Sequence, residues 1–192
     1  MEQHLYLVRH GQTLFNRKGI IQGWCDSPLT ELGREQAARV GRYFRREGIA
    51  FDRAYASPSG RTRETMECIT DMPYSCDEGL RELYFGTFEG EHESVLIKPF
   101  PLDMFVPFGG ESGDQLADRL NRTLTDIMRR PGHEHVLVVT HGTASEVFLK
   151  RWEAHRACDF EGLPGNCAVM HLTYDGEAFS LRNVVQQEDM AR

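Results

Sequence analysis

Short apolar runs alternate along this chain with stretches whose apolar residues recur at helical spacing. His4-Leu5-Tyr6-Leu7-Val8 is such a run, followed at once by a Gly-containing turn, and predicts a buried strand. Pro28-Leu29-Thr30 turns into a helix capped by Thr30, with Ala37, Val40 and Phe44 as its apolar stripe and Gly48 as its stop. Phe51 to Ala56 predicts a second strand ending at Ser57-Pro58, followed by a helix from about Ser59 to Asp71 with Met66 and Ile69 inward. Tyr74 to Cys76 reads as a short strand. Residues 86–111 hold Pro99, Pro101, Pro107 and four glycines, so no regular element is expected there. Ser112-Gly113-Asp114-Gln115 is a capping-box signature. It opens a helix carrying Leu116, Leu120, Leu124, Ile127 and Met128, ended by Pro131-Gly132. His135 to Thr140 is a β-branched run long enough for a central strand, and Ala144, Val147, Phe148 and Trp152 mark one side of the helix after it. Ala168–Thr173 and Phe179–Val184, separated by Asp175-Gly176, predict a β-hairpin. Strands alternating with helices imply a three-layer α/β/α sandwich, to which the hairpin adds an antiparallel strand.

Composition narrows the partners. With 192 residues, 40% apolar and 27% charged, the chain is read as one domain, residues 1–192, with room for a sizeable core. A net charge of −7 argues against nucleic acid or an anionic membrane surface as partner, so any anion site must be built locally from a few convergent cations. The five cysteines are odd in number and form no C-x-x-C pair, which argues against a disulfide framework or structural zinc and for reduced thiols. The opening residues lack an export signal, and no apolar run approaches a membrane span. A cytoplasmic location is the expectation.

The chemistry concentrates at two junctions of the same kind. Arg9-His10-Gly11 follows the first strand and His141-Gly142-Thr143 follows the strand at 135–140. In α/β sheets the carboxyl ends of strands line the ligand crevice, so two such junctions put two imidazoles on one edge of the sheet. An arginine beside a histidine there combines a cation shaped for phosphate with a nitrogen nucleophile, which points to phosphoryl transfer. Arg61 falls in the first turn of the helix after the second strand, where free N–H groups and the dipole favour an anion. Arg9 and Arg61 are therefore expected to clamp phosphoryl oxygens, with His141 donating to the same oxygens and Asn16 adding a neutral donor. Arg63, two residues on, is read as a solvated surface charge.

These junctions belong to a longer series: Arg9-His10-Gly11-Gln12-Thr13, Asn16, Gln22-Gly23, Pro28-Leu29-Thr30 with Gly33, Ser57-Pro58-Ser59-Gly60-Arg61-Thr62 with Thr65, and Leu80-Arg81-Glu82 with Gly86. Phe88-Glu89-Gly90, Gly109-Gly110-Glu111-Ser112, Thr140-His141-Gly142 and Asn166-Cys167 complete it. In this order, across almost the whole chain, the blocks resemble the histidine phosphatase superfamily, the phosphoglycerate mutase-like proteins. The resemblance implies a six-stranded, mostly parallel sheet with one antiparallel strand. It also implies a phosphohistidine intermediate on His10, oriented through a backbone carbonyl, with neither metal nor cofactor.

Glu82 is the candidate proton donor and then base, since the leaving oxygen needs a proton and the attacking water must lose one. Its pKa should be raised near a phosphate and an apolar wall. Arg81 is expected to pack or pair structurally, and Glu89, Glu91 and Glu93 to form a solvated loop. Two chemistries share such a site. Mutases of this kind carry a longer segment after the glutamate, with extra cations and His-Tyr-Gly. This chain has Leu83-Tyr84-Phe85-Gly86, and Lys98 is the only cation of a later loop carrying Phe100, Met104, Phe105 and Phe108. The expectation is a metal-independent phosphatase acting on a small-molecule phosphomonoester, with residues 86–111 as a lid or, equally, core packing or a homodimer contact. A 2,3-bisphosphoglycerate-dependent mutase and a non-catalytic phospholigand-binding module are the alternatives.

Overall fold

A computed structural model of the chain describes residues 2–96 and 99–191. Its central sheet comprises β1 (Gln3–Arg9), β2 (Arg53–Ala56), β3 (Ser75–Cys76), β4 (His135–Thr140), β5 (Val169–Tyr174) and β6 (Phe179–Val185). The order across the sheet is β3-β2-β4-β1-β5-β6. The pairs β2–β3, β2–β4 and β1–β4 are parallel, and β5 runs antiparallel to both its neighbours. Five strands thus share one direction and β5, the first strand of the expected hairpin, opposes them.

Strand periodicity separates two cores. Leu5 and Leu7 face α4 (Gly113–Met128) and α5 (Gly142–Arg151), in one cluster with Leu116, Leu120, Leu124 and Phe148. Tyr6 and Val8 face α2 (Glu31–Arg46) and α3 (Gly60–Ile69), in a second cluster with Val40, Phe44, Met66 and Ile69. Alternate residues of one strand serve opposite layers because successive side chains point to opposite faces.

The capping signals work as expected. Thr30 Oγ1 accepts the Gly33 N–H, and Ser112 forms a full capping box with Gln115. An element without a strong periodic signal also appears: α1 (Leu14–Lys18), a five-residue helix capped by Thr13 through Asn16. The described residues of 86–96 and 99–108 hold 3-10 turns at Gly86–Phe88, Glu93–Val95 and Leu102–Phe108. Phe105 there is fully buried, with the rings of Phe85, Phe88 and Phe100 edge-on around it at 4.8, 5.5 and 5.6 Å, while Phe108 is exposed. Lys98, named above for its charge, lies outside the described residues.

Candidate functional site

The site grows from the pairing of β1 with β4. Their register sets Arg9 opposite Thr140, and His10 N–H bonds to Thr140 O at 3.0 Å, so the residues after both strands emerge side by side. The rings of His10 and His141 lie edge to face with centroids 5.4 Å apart. Two glycines permit this crowding. A Cβ on Gly11 would lie 2.5 Å from the Gly33 carbonyl oxygen, and one on Gly142 would press on the Arg9 guanidinium at 3.1 Å.

His10 is buried, and its Nδ1 lies 2.8 Å from Gly11 O. A carbonyl cannot donate, so Nδ1 carries the proton and Nε2 keeps its lone pair. Burial first, then the guanidinium groups of Arg61 and Arg9, hold the imidazole well below its ordinary pKa of 6.5. It is a neutral ring near neutral pH.

Arg61 is fully buried, and its terminal nitrogens are spent on the protein. Nη1 donates to Cys25 O (3.0 Å) and Asp26 Oδ1 (2.9 Å), and Nη2 to Gly23 O (2.7 Å) and His141 Nδ1 (2.9 Å). Its Nε–H has no partner. Arg9 is anchored by Nη1 to Pro164 O at 2.6 Å, and its Nε–H also lacks a partner. These two account for half of the four buried, unpartnered side-chain polar atoms among the described residues. Orphaned buried donors are costly, about 1–3 kcal/mol each, and two arginine N–H groups flanking a neutral histidine are suited to an anion.

His141 is placed beside His10, but its ring is committed differently. Arg61 can only donate, so His141 Nδ1 accepts, and the proton on Nε2 goes to Ser57 Oγ at 2.8 Å. The expectation that its N–H aims at the phosphate oxygens therefore meets a structure in which that N–H already has a partner. Burial and then Arg61 keep this imidazole well below its ordinary pKa too.

The helix N-termini are likewise occupied from within. Asp26 accepts the Gly60 N–H at the start of α3. At α5, Glu82 Oε2 accepts from Thr143 N at 3.0 Å and Oε1 from Ala144 N at 2.8 Å, with Leu83 N–H adding a third bond at 2.9 Å. The group that α5 binds is thus an internal carboxyl. Burial raises the pKa of Glu82, and the bond from Leu83, the charge of Arg61 and the bonds from Thr143 and Ala144 pull part of the rise back.

Asn16 lies on α1. Its Oδ1 accepts from Thr13 N–H (3.1 Å) and Asn166 Nδ2 (3.3 Å), which orients its amide. Asn166 Nδ2 also reaches His10 O at 3.0 Å. Arg63 is exposed, and Arg81 stacks over the Trp24 ring at 5.0 Å while pairing with Glu78, both as expected.

Glu89 corrects the expectation of a solvated acidic loop. Its carboxylate accepts four backbone N–H groups, from Gly23 (3.2 Å), Trp24 (2.8 Å), Cys25 (2.8 Å) and Phe85 (3.1 Å). It thereby shapes the 23–25 loop whose carbonyls grip Arg61. Ser57 and Glu89 both stand inside family-like blocks, Ser57 to Thr62 and Phe88 to Gly90, so the signal for them is motif membership rather than charge pattern. All five cysteines are free thiols. No group of three or more His, Cys, Asp or Glu among the described residues is arranged to hold a metal. No helix among them is long and apolar enough to cross a membrane.

The profile of the histidine phosphatase superfamily (branch 1) matches residues 5–187. The broad-specificity phosphatase YOR283W of Saccharomyces cerevisiae is 32% identical over 195 residues, covering 94% of this chain and 84% of that protein. A probable phosphoglycerate mutase GpmB of Citrobacter koseri is 37% identical over 153 residues, covering 73% and 70%. The crystal structure of phosphoglycerate mutase from Bacillus anthracis superposes with a TM-score of 0.84 at 26% identity, over 99% of this chain and 96% of that one.

Proposed function

Because this chain belongs to the histidine phosphatase superfamily, we propose that it hydrolyses phosphomonoesters through a phosphohistidine on His10, without a metal. The observation that carries the reading is a neutral His10 whose Nε2 keeps its lone pair, flanked by two arginines whose buried Nε–H groups have no partner among the described residues. The Nε2 lone pair attacks phosphorus while Arg9, Arg61 and the Asn16 amide hold the nonbridging oxygens. As the N–P bond forms, the bridging P–O bond breaks, and the leaving oxygen takes the proton of the Glu82 carboxyl. Water then attacks the same phosphorus and the N–P bond breaks. The Glu82 carboxylate accepts the proton the water loses, which restores a protonated Glu82, a neutral His10 and free phosphate. His141 acts on this chemistry through Arg61, whose Nη2 it holds. The raised pKa of Glu82 keeps a larger protonated fraction for the first step.

Substrates are small phosphorylated molecules, in keeping with the broad-specificity phosphatase among the relatives. The test is turnover of an aryl phosphate in the presence of chelator, together with an acid-labile phosphoenzyme that His10→Ala lacks. No turnover across a broad phosphomonoester panel would defeat the reading. A second reading, phosphoglycerate mutase, draws on the name of the GpmB relative. It requires interconversion of 2- and 3-phosphoglycerate, and its absence at high enzyme concentration removes it.

A further inference from the structure

Residues 79–82 have no strand to bond to, yet each of their four carbonyls is held by a side chain. Arg119 Nη1 donates to Gly79 O at 2.9 Å and Arg81 O at 3.0 Å, and its Nη2 to Glu82 O at 3.2 Å. Thr140 Oγ1 holds Leu80 O at 2.7 Å, and Trp24 Nε1 adds a second bond to Glu82 O at 3.0 Å. The remaining donors of Arg119 go to Glu111, Nε to Oε1 at 2.9 Å and Nη2 to Oε2 at 2.7 Å. All five N–H groups of the guanidinium are thereby used. Arg119 stands on α4 and Glu111 two residues before that helix begins, in the block Gly109-Gly110-Glu111-Ser112 that the mechanism above leaves without a role. The pair is mostly buried, with side chains 17% and 14% exposed.

The consequence follows from peptide planarity. Glu82 C=O and Leu83 N–H belong to one rigid peptide unit and point in opposite directions. Clamping the oxygen with Arg119 and Trp24 therefore aims the N–H, and that N–H donates to Glu82's own Oε1 at 2.9 Å. The grip on the main chain becomes a grip on the carboxyl.

We propose that Arg119, oriented by Glu111, is a positioning residue for proton transfer by Glu82, acting through the 82–83 peptide. The inference rests on the reading of Glu82 as proton donor, and the test separates the two. Values of kcat/KM, which report the steps up to phosphoryl transfer onto His10, are measured for p-nitrophenyl phosphate and for an alkyl phosphate. The phenolate leaves readily without a proton, and the alkoxide does not. Glu82→Gln should lower the alkyl ester rate by about 10³-fold and the aryl ester rate by much less. Arg119→Lys keeps the charge but loses the fork, and should reproduce the pattern more weakly, about 30-fold against about 3-fold. It should also move the alkaline limb of the alkyl ester profile upward, since a loosened Leu83 N–H favours the ionised carboxyl less. If Arg119→Lys does not fold, Glu111→Gln, which weakens the fork's anchor, should show the same selectivity at smaller size. Equal losses on both esters in Arg119→Lys, with selectivity intact in Glu82→Gln, would overturn the positioning role alone. Equal losses in Glu82→Gln would overturn the proton-donor reading and this inference with it.

Discussion

The two strand–His–Gly junctions are written alike and finished differently. Both histidines follow parallel neighbouring strands, both are buried, and both are neutral rings beside the same arginine. His10 meets a carbonyl at Nδ1 and so exposes a lone pair at Nε2. His141 meets a guanidinium at Nδ1 and a hydroxyl at Nε2, so it has no lone pair to offer. In the proposed mechanism one attacks and the other holds Arg61. Role here is a matter of tautomer, and the tautomer is set by the partner of Nδ1.

The largest contrast should come from deleting each ring in turn. His10→Ala should lower turnover by about 10⁴-fold or more and abolish acid-labile phosphate labelling. His141→Ala should cost about 10²–10³-fold, as for a lost electrostatic support, and still label on His10. Labelling that survives His10→Ala would exchange the two roles. Next in size, Ser57→Ala leaves His141 Nε2–H without its acceptor. About a tenfold loss of turnover and a destabilisation of about 1–3 kcal/mol are expected, read by steady-state rates and denaturant unfolding. Long-range ¹⁵N correlation spectra test the tautomers directly, with the proton on Nδ1 of His10 and on Nε2 of His141. Identical tautomers would dissolve the distinction.

Glu89→Gln extends the comparison to the loop that holds Arg61. The amide keeps an acceptor for only two of the four N–H groups and turns its own NH2 donors toward the other two, and a destabilisation of about 2 kcal/mol with a raised KM is expected. An unchanged KM would mean that the 23–25 loop does not govern the Arg61 grip.

The smallest effect concerns pH. Away from the site, on the α2/α3 face, His4 Nδ1 and His171 Nε2 lie 3.0 Å apart, and burial lowers the pKa of both, that of His171 to about 4. His10 and His141 are shifted the same way. Between the unfolded value near 6.5 and these lower folded values the unfolded chain binds more protons, so stability falls as pH drops through that window. Urea midpoints should decline from pH 7 toward 4, and His171→Gln should flatten part of the slope. A slope of the opposite sign would contradict the burial of these rings.

Much of this architecture is legible from periodicity and caps. The runs at 4–8 and 135–140, the Thr30 and Ser112 caps and the terminal hairpin all appear within a residue or two of their expected places. The Phe51–Ala56 strand begins only at Arg53, and the helix from Ser59 stops at Ile69, because Thr70 turns extended. The helix α1 escaped because five residues are too few to display a period. The role of Glu89 is not legible in the sequence because charge pattern carries no information on burial, and a carboxylate among acidic neighbours looks solvated until four amides are folded around it.

What the sequence determined by itself was that two histidines end two strands and that an arginine opens a helix between them, since strand and helix periods are local properties of the chain. Tertiary structure alone decided that β4, more than a hundred residues on, lies against β1. It also decided that Arg61 donates to Nδ1 of His141 while Nδ1 of His10 turns to the carbonyl of Gly11, and that α5 binds Glu82 rather than leaving its N–H groups free. Those outcomes depend on which donor or acceptor stands within about 3 Å of each polar atom. Apart from Gly11 O, which is next in sequence to His10, such neighbours are brought together by packing of distant segments, and no short stretch of residues encodes them.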